Sequence, residues 1–108
     1  MGTDNRIIKI AEHYGYESQS NQLVEEMGEL LQAMNKFWRA MKCETPGARV
    51  NPVNMTSRHA LHNMAEEIAD VGICLEQVAV LTGTEREVMR IREEKIQRQL
   101  RRMEGAER

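Results

Sequence analysis

Two stretches of this chain place acidic side chains at a spacing that can do chemistry. Glu25-Glu26-Met27-Gly28-Glu29-Leu30-Leu31 is echoed 41 residues later by Glu66-Glu67-Ile68-Ala69-Asp70-Val71-Gly72. Both read acid, acid, apolar, small, acid, apolar. On a helix, residues three apart are neighbours, with Cβ atoms roughly 5–6 Å apart. Glu26 therefore shares a face with Glu29, and Glu67 with Asp70. At about 100° per residue each pair lies beside an apolar stripe, at its rim. Two such helices packed through their stripes bring four carboxylates to one pocket. Four carboxylates do not stay charged together without a cation. Hard oxygen donors of this kind suit Mg²⁺, with Mn²⁺ able to substitute, and with waters and substrate phosphates completing the shell.

The elements that must position these residues are helices. Residues 4–14 read as a short helix with Ile7, Ile8, Ile10, Ala11 and Tyr14 apolar and Gly15 as its stop. A second helix is expected from Ser18 or Ser20 to about Lys42, with Leu23, Met27, Leu30, Leu31, Met34, Phe37, Trp38 and Met41 at helical spacing. Pro46, Gly47, Asn51, Pro52 and Asn54 make 44–57 a loop, longer than helix–helix connections usually are. A third helix begins near Thr56 or Ser57 and ends at Gly83. Its stripe is Leu61, Met64, Ile68, Val71, Leu75, Val78 and Ala79. Thr84 and Glu87 have the spacing of a capping box, opening a fourth helix to about Met103. The last residues are expected to fray. Gly28 and Gly72 each cost roughly 1 kcal/mol against Ala inside a helix, which predicts close helix approach at both. No strand pattern is present, so the fold class is all-α, four helices in a single domain over 1–108.

Composition narrows the function classes. With 15 basic and 17 acidic residues the net charge is −2, which does not favour nucleic acid. No apolar run approaches 18 residues, so no membrane span is expected. The N-terminus lacks the basic-then-apolar layout of a signal peptide, and Cys43 and Cys74 have no metal-ligand spacing; reduced thiols in a cytoplasmic protein are the expectation. A helical chain this short often leaves apolar surface for a partner.

Other groups invite sharper and blander readings. Lys95, Arg98 and Arg102 fall within about 60° of one another on the fourth helix. Opposite a metal pocket they would suit a polyphosphate; within a run that also holds Arg90, Arg92 and Arg101 they equally suit a solvated face. His59 and His62 lack a third ligand and read as a surface pair. Di-iron bundles need Glu-x-x-His pairs, which these motifs are not. Phe37 and Trp38 read first as core or oligomer contact. Together with Tyr14 and Gln22 they are also the candidates for a base pocket.

At the acidic motifs the chain resembles the MazG-like all-α nucleoside triphosphate pyrophosphohydrolases, whose pattern is Glu-Glu-x-x-Glu and, after an interval, Glu-x-x-Asp. Leu23 to Leu30 looks like the first half and Glu66 to Val71 like the second. The resemblance covers most of 20–102. It implies a MazG-like bundle completed by oligomerisation, with Glu26, Glu29, Glu67 and Asp70 as Mg²⁺ ligands. The family often adds a downstream Lys, an Asn four later and an Arg three after that. Lys95 and Arg102 match the ends, but Gln99 stands in the Asn position. The interval between Glu29 and Glu67 is also longer than usual, the excess falling in the loop.

The activity this implies is Mg²⁺-dependent hydrolysis of a nucleoside or deoxynucleoside triphosphate to monophosphate and pyrophosphate, with water attacking the α-phosphorus. Glu25 or Glu26 would orient that water, and Lys95 and Arg102 would steady the outer phosphates. A homodimer or homotetramer is implied, with sites walled by more than one subunit. Two alternatives stand beside it: a phosphoribosyl-ATP pyrophosphohydrolase-like enzyme, and a non-catalytic helical module for dimerisation or partner binding.

Overall fold

The computed structural model describes residues 2–105, and among these the chain is three α-helices with no strand. They are α1 (Asn5–Cys43), α2 (Ser57–Thr82) and α3 (Glu85–Met103). None is long and apolar enough to cross a membrane. The fraying expected of the last residues falls at 106–108, outside the described residues.

The predicted stop at Gly15 is present: two helical segments meet at a kink there and are counted together as α1. Gly15 has φ 84° and ψ 170°, a region open essentially to glycine alone. Helix resumes at once, so the expected new start at Ser18 or Ser20 is not seen. Asp4 opens the first segment by accepting the Arg6 backbone N–H at 2.8 Å. Gly83 closes α2 in the left-handed conformation. The Thr84 N–H reaches Ala79 O and the Gly83 N–H reaches Val80 O, a Schellman arrangement. The capping box predicted at Thr84 does not form. Thr84 makes no side-chain cap, and its hydroxyl lies 2.9 Å from that of Thr82 instead.

The loop between α1 and α2 is pinned at its base. Glu44 accepts the Ser57 backbone N–H at 2.8 Å and the Ser57 hydroxyl at 2.6 Å. These bonds to the charged form lower the Glu44 pKa. They also set a carboxylate at the N-terminus of α2, where the helix dipole favours it. Thr56 adds the cap by accepting the His59 N–H.

α1 and α2 pack antiparallel and carry most of the fold. Their seam is built from small and polar residues. On α1 the buried positions Gln19, Ala33 and Ala40 fall at multiples of seven; on α2 they are Ala60, Val71, Cys74 and Gln77. Seven residues is close to two helical turns, so the α1 set forms one line, as do Ala60 and Cys74 on α2, with Val71 and Gln77 widening that face. Gln19 Nε2 donates to Gln77 Oε1 at 2.6 Å inside the seam, fixing its register.

The apolar stripes predicted as core are only partly buried in the single chain: Val71 is buried and Leu23, Leu30, Phe37, Met64, Val78 and Ala79 are half-buried. Met27, Leu31, Met34, Trp38 and Met41 of α1 are exposed, as are Leu61, Ile68 and Leu75 of α2. Alanine allows closer backbone approach than methionine or leucine, so the two helices meet on their alanine lines and turn the bulky stripes outward. The close approach predicted at Gly28 and Gly72 is also absent: a Cβ at either would meet nothing within 4 Å. α3 meets α2, not α1, and buries none of its residues. The radius of gyration is 18.1 Å, against about 13 Å for a compact chain of this length.

Candidate metal centre

Glu26 continues the α1 line of Gln19, Ala33 and Ala40, and Glu67 the α2 line of Ala60 and Cys74. Glu26 and Glu67 therefore stand in the seam itself, a correction to the helical-wheel reading, while Glu29 and Asp70 stay exposed at its edge. Because the helices run antiparallel, the motifs meet crosswise, Glu26 beside Asp70 and Glu29 beside Glu67. Glu26, Glu67 and Asp70 each offer an oxygen, all within 4.8 Å of one another. Glu29 is exposed and acts on Glu67 by its charge.

The electrostatics follow from this crowding. The Glu67 pKa is pushed up to about 7, first by desolvation, then by hydrogen bonding with Glu26 and by the charges of Glu29, Glu26 and Asp70. Asp70 is raised by desolvation and by Glu26. No Lys or Arg figures among the influences on either group. Beneath them the buried Cys74 thiol is also raised, by burial and by the charges of Glu26 and Asp70.

Glu26 Oε2 and Glu67 Oε2 are buried with no hydrogen-bond donor. A carboxylate oxygen buried without a donor is costly unless a proton or cation meets it. The other oxygen of Glu26 is held: Gln22 Nε2 donates to Oε1 at 2.7 Å. The donor set, hard oxygens converging from two helices, fits a divalent cation such as Mg²⁺. Neither Glu25 nor the histidines belong to this cluster. Glu25 is exposed, and His62 instead contacts Glu66 at 2.9 Å on the surface.

Beside the carboxylates lies an open cavity of about 380 Å³. Glu29 and Glu67 stand at one end; Gln32, Lys36 and Asn63 line the rest, and the loop contributes Met55. Sequence reasoning missed these four. A signal for three of them exists, since Gln32 and Lys36 lie three and seven residues beyond Glu29, and Asn63 four before Glu67. Of the base-pocket candidates, Gln22, Phe37 and Trp38 do not line this cavity. Phe37 is half-buried, Trp38 is exposed with Lys42 Nζ 5.8 Å from its ring, and Tyr14 is exposed. Lys95, Arg98 and Arg102 are all exposed on α3.

Fold and cluster together define an all-helical protein with a carboxylate centre in a helical hairpin. No protein-family model, curated protein or solved structure matches the chain.

Proposed function

We propose that this protein is a Mg²⁺-dependent hydrolase that splits a nucleoside or deoxynucleoside triphosphate into the monophosphate and pyrophosphate, in the manner of the MazG-like enzymes its motifs resemble. The observation that carries the reading is the meeting of Glu26, Glu67 and Asp70 across two helices, with two buried oxygens lacking donors. Glu29, a fourth ligand by the resemblance, stands outside these three and acts on Glu67 by its charge. Mg²⁺ or Mn²⁺ held there would neutralise charge growing on the phosphate oxygens and acidify a bound water.

The residues divide the remaining work. The water oxygen bonds to the α-phosphorus, the bond from that phosphorus to the bridging oxygen breaks, and pyrophosphate leaves. The water's proton passes to a carboxylate. Glu26 suits this role better than Glu25, since Glu26 belongs to the cluster and Glu25 does not.

The bundle is completed by further copies of the chain. The outward stripes of α1 and α2 leave Met27, Leu31, Met34, Trp38, Leu61, Ile68 and Leu75 exposed, more apolar side chain than a monomer of this size usually shows. α3 stands off its own hairpin, which suits delivery of Lys95, Arg98 and Arg102 to a neighbouring copy's site.

The test is pyrophosphate release from a panel of NTPs and dNTPs with and without Mg²⁺, alongside the solution mass. Metal-dependent release from any of them supports the reading. Silence across the panel from folded, oligomeric protein refutes it and favours the interaction module.

A further inference from the structure

We infer that Lys36 anchors the outer phosphates of a metal-bound polyphosphate, so that the substrate lies along the α1–α2 groove with its leaving pyrophosphate toward the 44–56 loop. This rests on the hydrolase reading and adds the substrate's direction to it. Lys36 lines the cavity beside the carboxylates and forms no hydrogen bond or ion pair among the described residues. The other charged groups lining the cavity are Glu29 and Glu67.

Such a cavity is polarised along its length. Lys36 lies seven residues from Glu29, about 10 Å along the helix and nearly on the same face. An occupant must bring a cation to the glutamates and an anion to the lysine. An ammonium has three donors and no acceptor, so it asks for oxygen-rich anionic groups rather than a neutral ring. A metal–polyphosphate satisfies both ends at once: the metal sits at the carboxylates, one phosphate beside it, and the next phosphates extend within reach of the lysine side chain. Gln32 and Asn63, between the two ends, supply amide donors to the same oxygens. Since the bond to be broken lies next to the metal, the phosphates beyond it are those that leave, and they leave on the Lys36 side.

The test is calorimetric titration of the full chain with Mg²⁺ alone and with Mg²⁺–tripolyphosphate, comparing wild type, Lys36→Met and Lys36→Arg. Loss of a charge-assisted contact predicts tripolyphosphate affinity at least about tenfold weaker in Lys36→Met. Recovery in Lys36→Arg and unchanged affinity for Mg²⁺ alone are expected with it. Equal affinity in wild type and Lys36→Met overturns the inference. So does failure of the arginine to restore binding, a weakened Mg²⁺ affinity in Lys36→Met, or no tripolyphosphate binding by wild type. None of these readings needs turnover. Silence in the nucleotide panel with Lys36-dependent binding intact would refute the hydrolase alone.

Discussion

Glu67→Gln tests the metal centre most directly, because it removes one charge and keeps the side chain's shape. In the folded chain Glu67 is pushed from its ordinary 4.5 to about 7. Between those values the folded state holds a proton that the unfolded state has lost. Stability of the metal-free protein must then fall as pH rises through that window. Above it, the unfavourable ionisation is complete. The glutamine has no such titration, and its amide can donate to Glu26 Oε2, which lacks a donor. The metal-free variant should therefore match or exceed the wild type near pH 7.5, with a shallower slope below it. Some slope remains because Asp70 is raised too. Magnesium reverses the order. At ten times its Kd it stabilises wild type by about 1.4 kcal/mol, or roughly 6–11 °C in Tm for a domain this size. The variant, short one of three converging oxygens, should lose most of that rise. Circular-dichroism melts from pH 4.5 to 8, with and without Mg²⁺ at fixed protein concentration, read all of this. A wild-type Tm that stays flat or climbs between pH 5 and 7 without metal would refute the electrostatic argument. An undiminished Mg²⁺ response in Glu67→Gln would refute the ligand assignment.

Further expectations concern the groups around the cluster. Gln22→Ala frees Glu26 Oε1 from its donor; loss of an orienting partner of a ligand predicts about 10–100-fold weaker metal affinity, readable by Mn²⁺ titration. Gln77→Ala strands the Gln19 amide in the seam and should cost about 1–3 kcal/mol in denaturant unfolding, while apolar replacement of both glutamines should cost far less. Alkylation of the native protein should modify exposed Cys43 and spare Cys74, which is buried and whose thiol pKa is raised; mass spectrometry of the labelled peptides checks it.

The acidic motifs were legible because their chemistry repeats, and their crossed pairing was implicit in the chain. A hairpin whose turn falls near Pro46 and Gly47 brings residues equally far from that turn together, which sets Glu26 against Asp70 and Glu29 against Glu67. The break at Gly15, the left-handed Gly83 and the loop were legible for local reasons: each depends on a backbone conformation that glycine or proline decides. The choice of seam was not. Two parallel lines run down α1, one of Gln19, Glu26, Ala33 and Ala40, the other of Met27, Leu31, Met34, Trp38 and Met41. Hydrophobicity favours the second as core or oligomer contact. Close approach favours the first within a single chain. A helical wheel ranks residues by polarity and has no term for what a second copy would cover.

That choice of seam couples folding to the charge state of the cluster. Glu26 and Glu67 occupy lines whose other members are alanine, glutamine and cysteine, groups that pack or pair without charge. Two glutamates there oppose helix contact unless a proton or metal sits between them. Under the proposed function, metal binding and closure of the α1–α2 hairpin would form one linked equilibrium. Whatever holds the cation also tightens the seam, and whatever opens the seam releases the cation. The outward stripes place a second condition on the same hairpin under the proposed function, since their exposed Met27, Leu31, Met34 and Trp38 would gain from a covering partner. Under the proposed function, catalysis would require both: a cation to close the inner seam and a neighbour to cover the outer one. On that reading, dilution below the association limit should weaken metal affinity along with the quaternary structure.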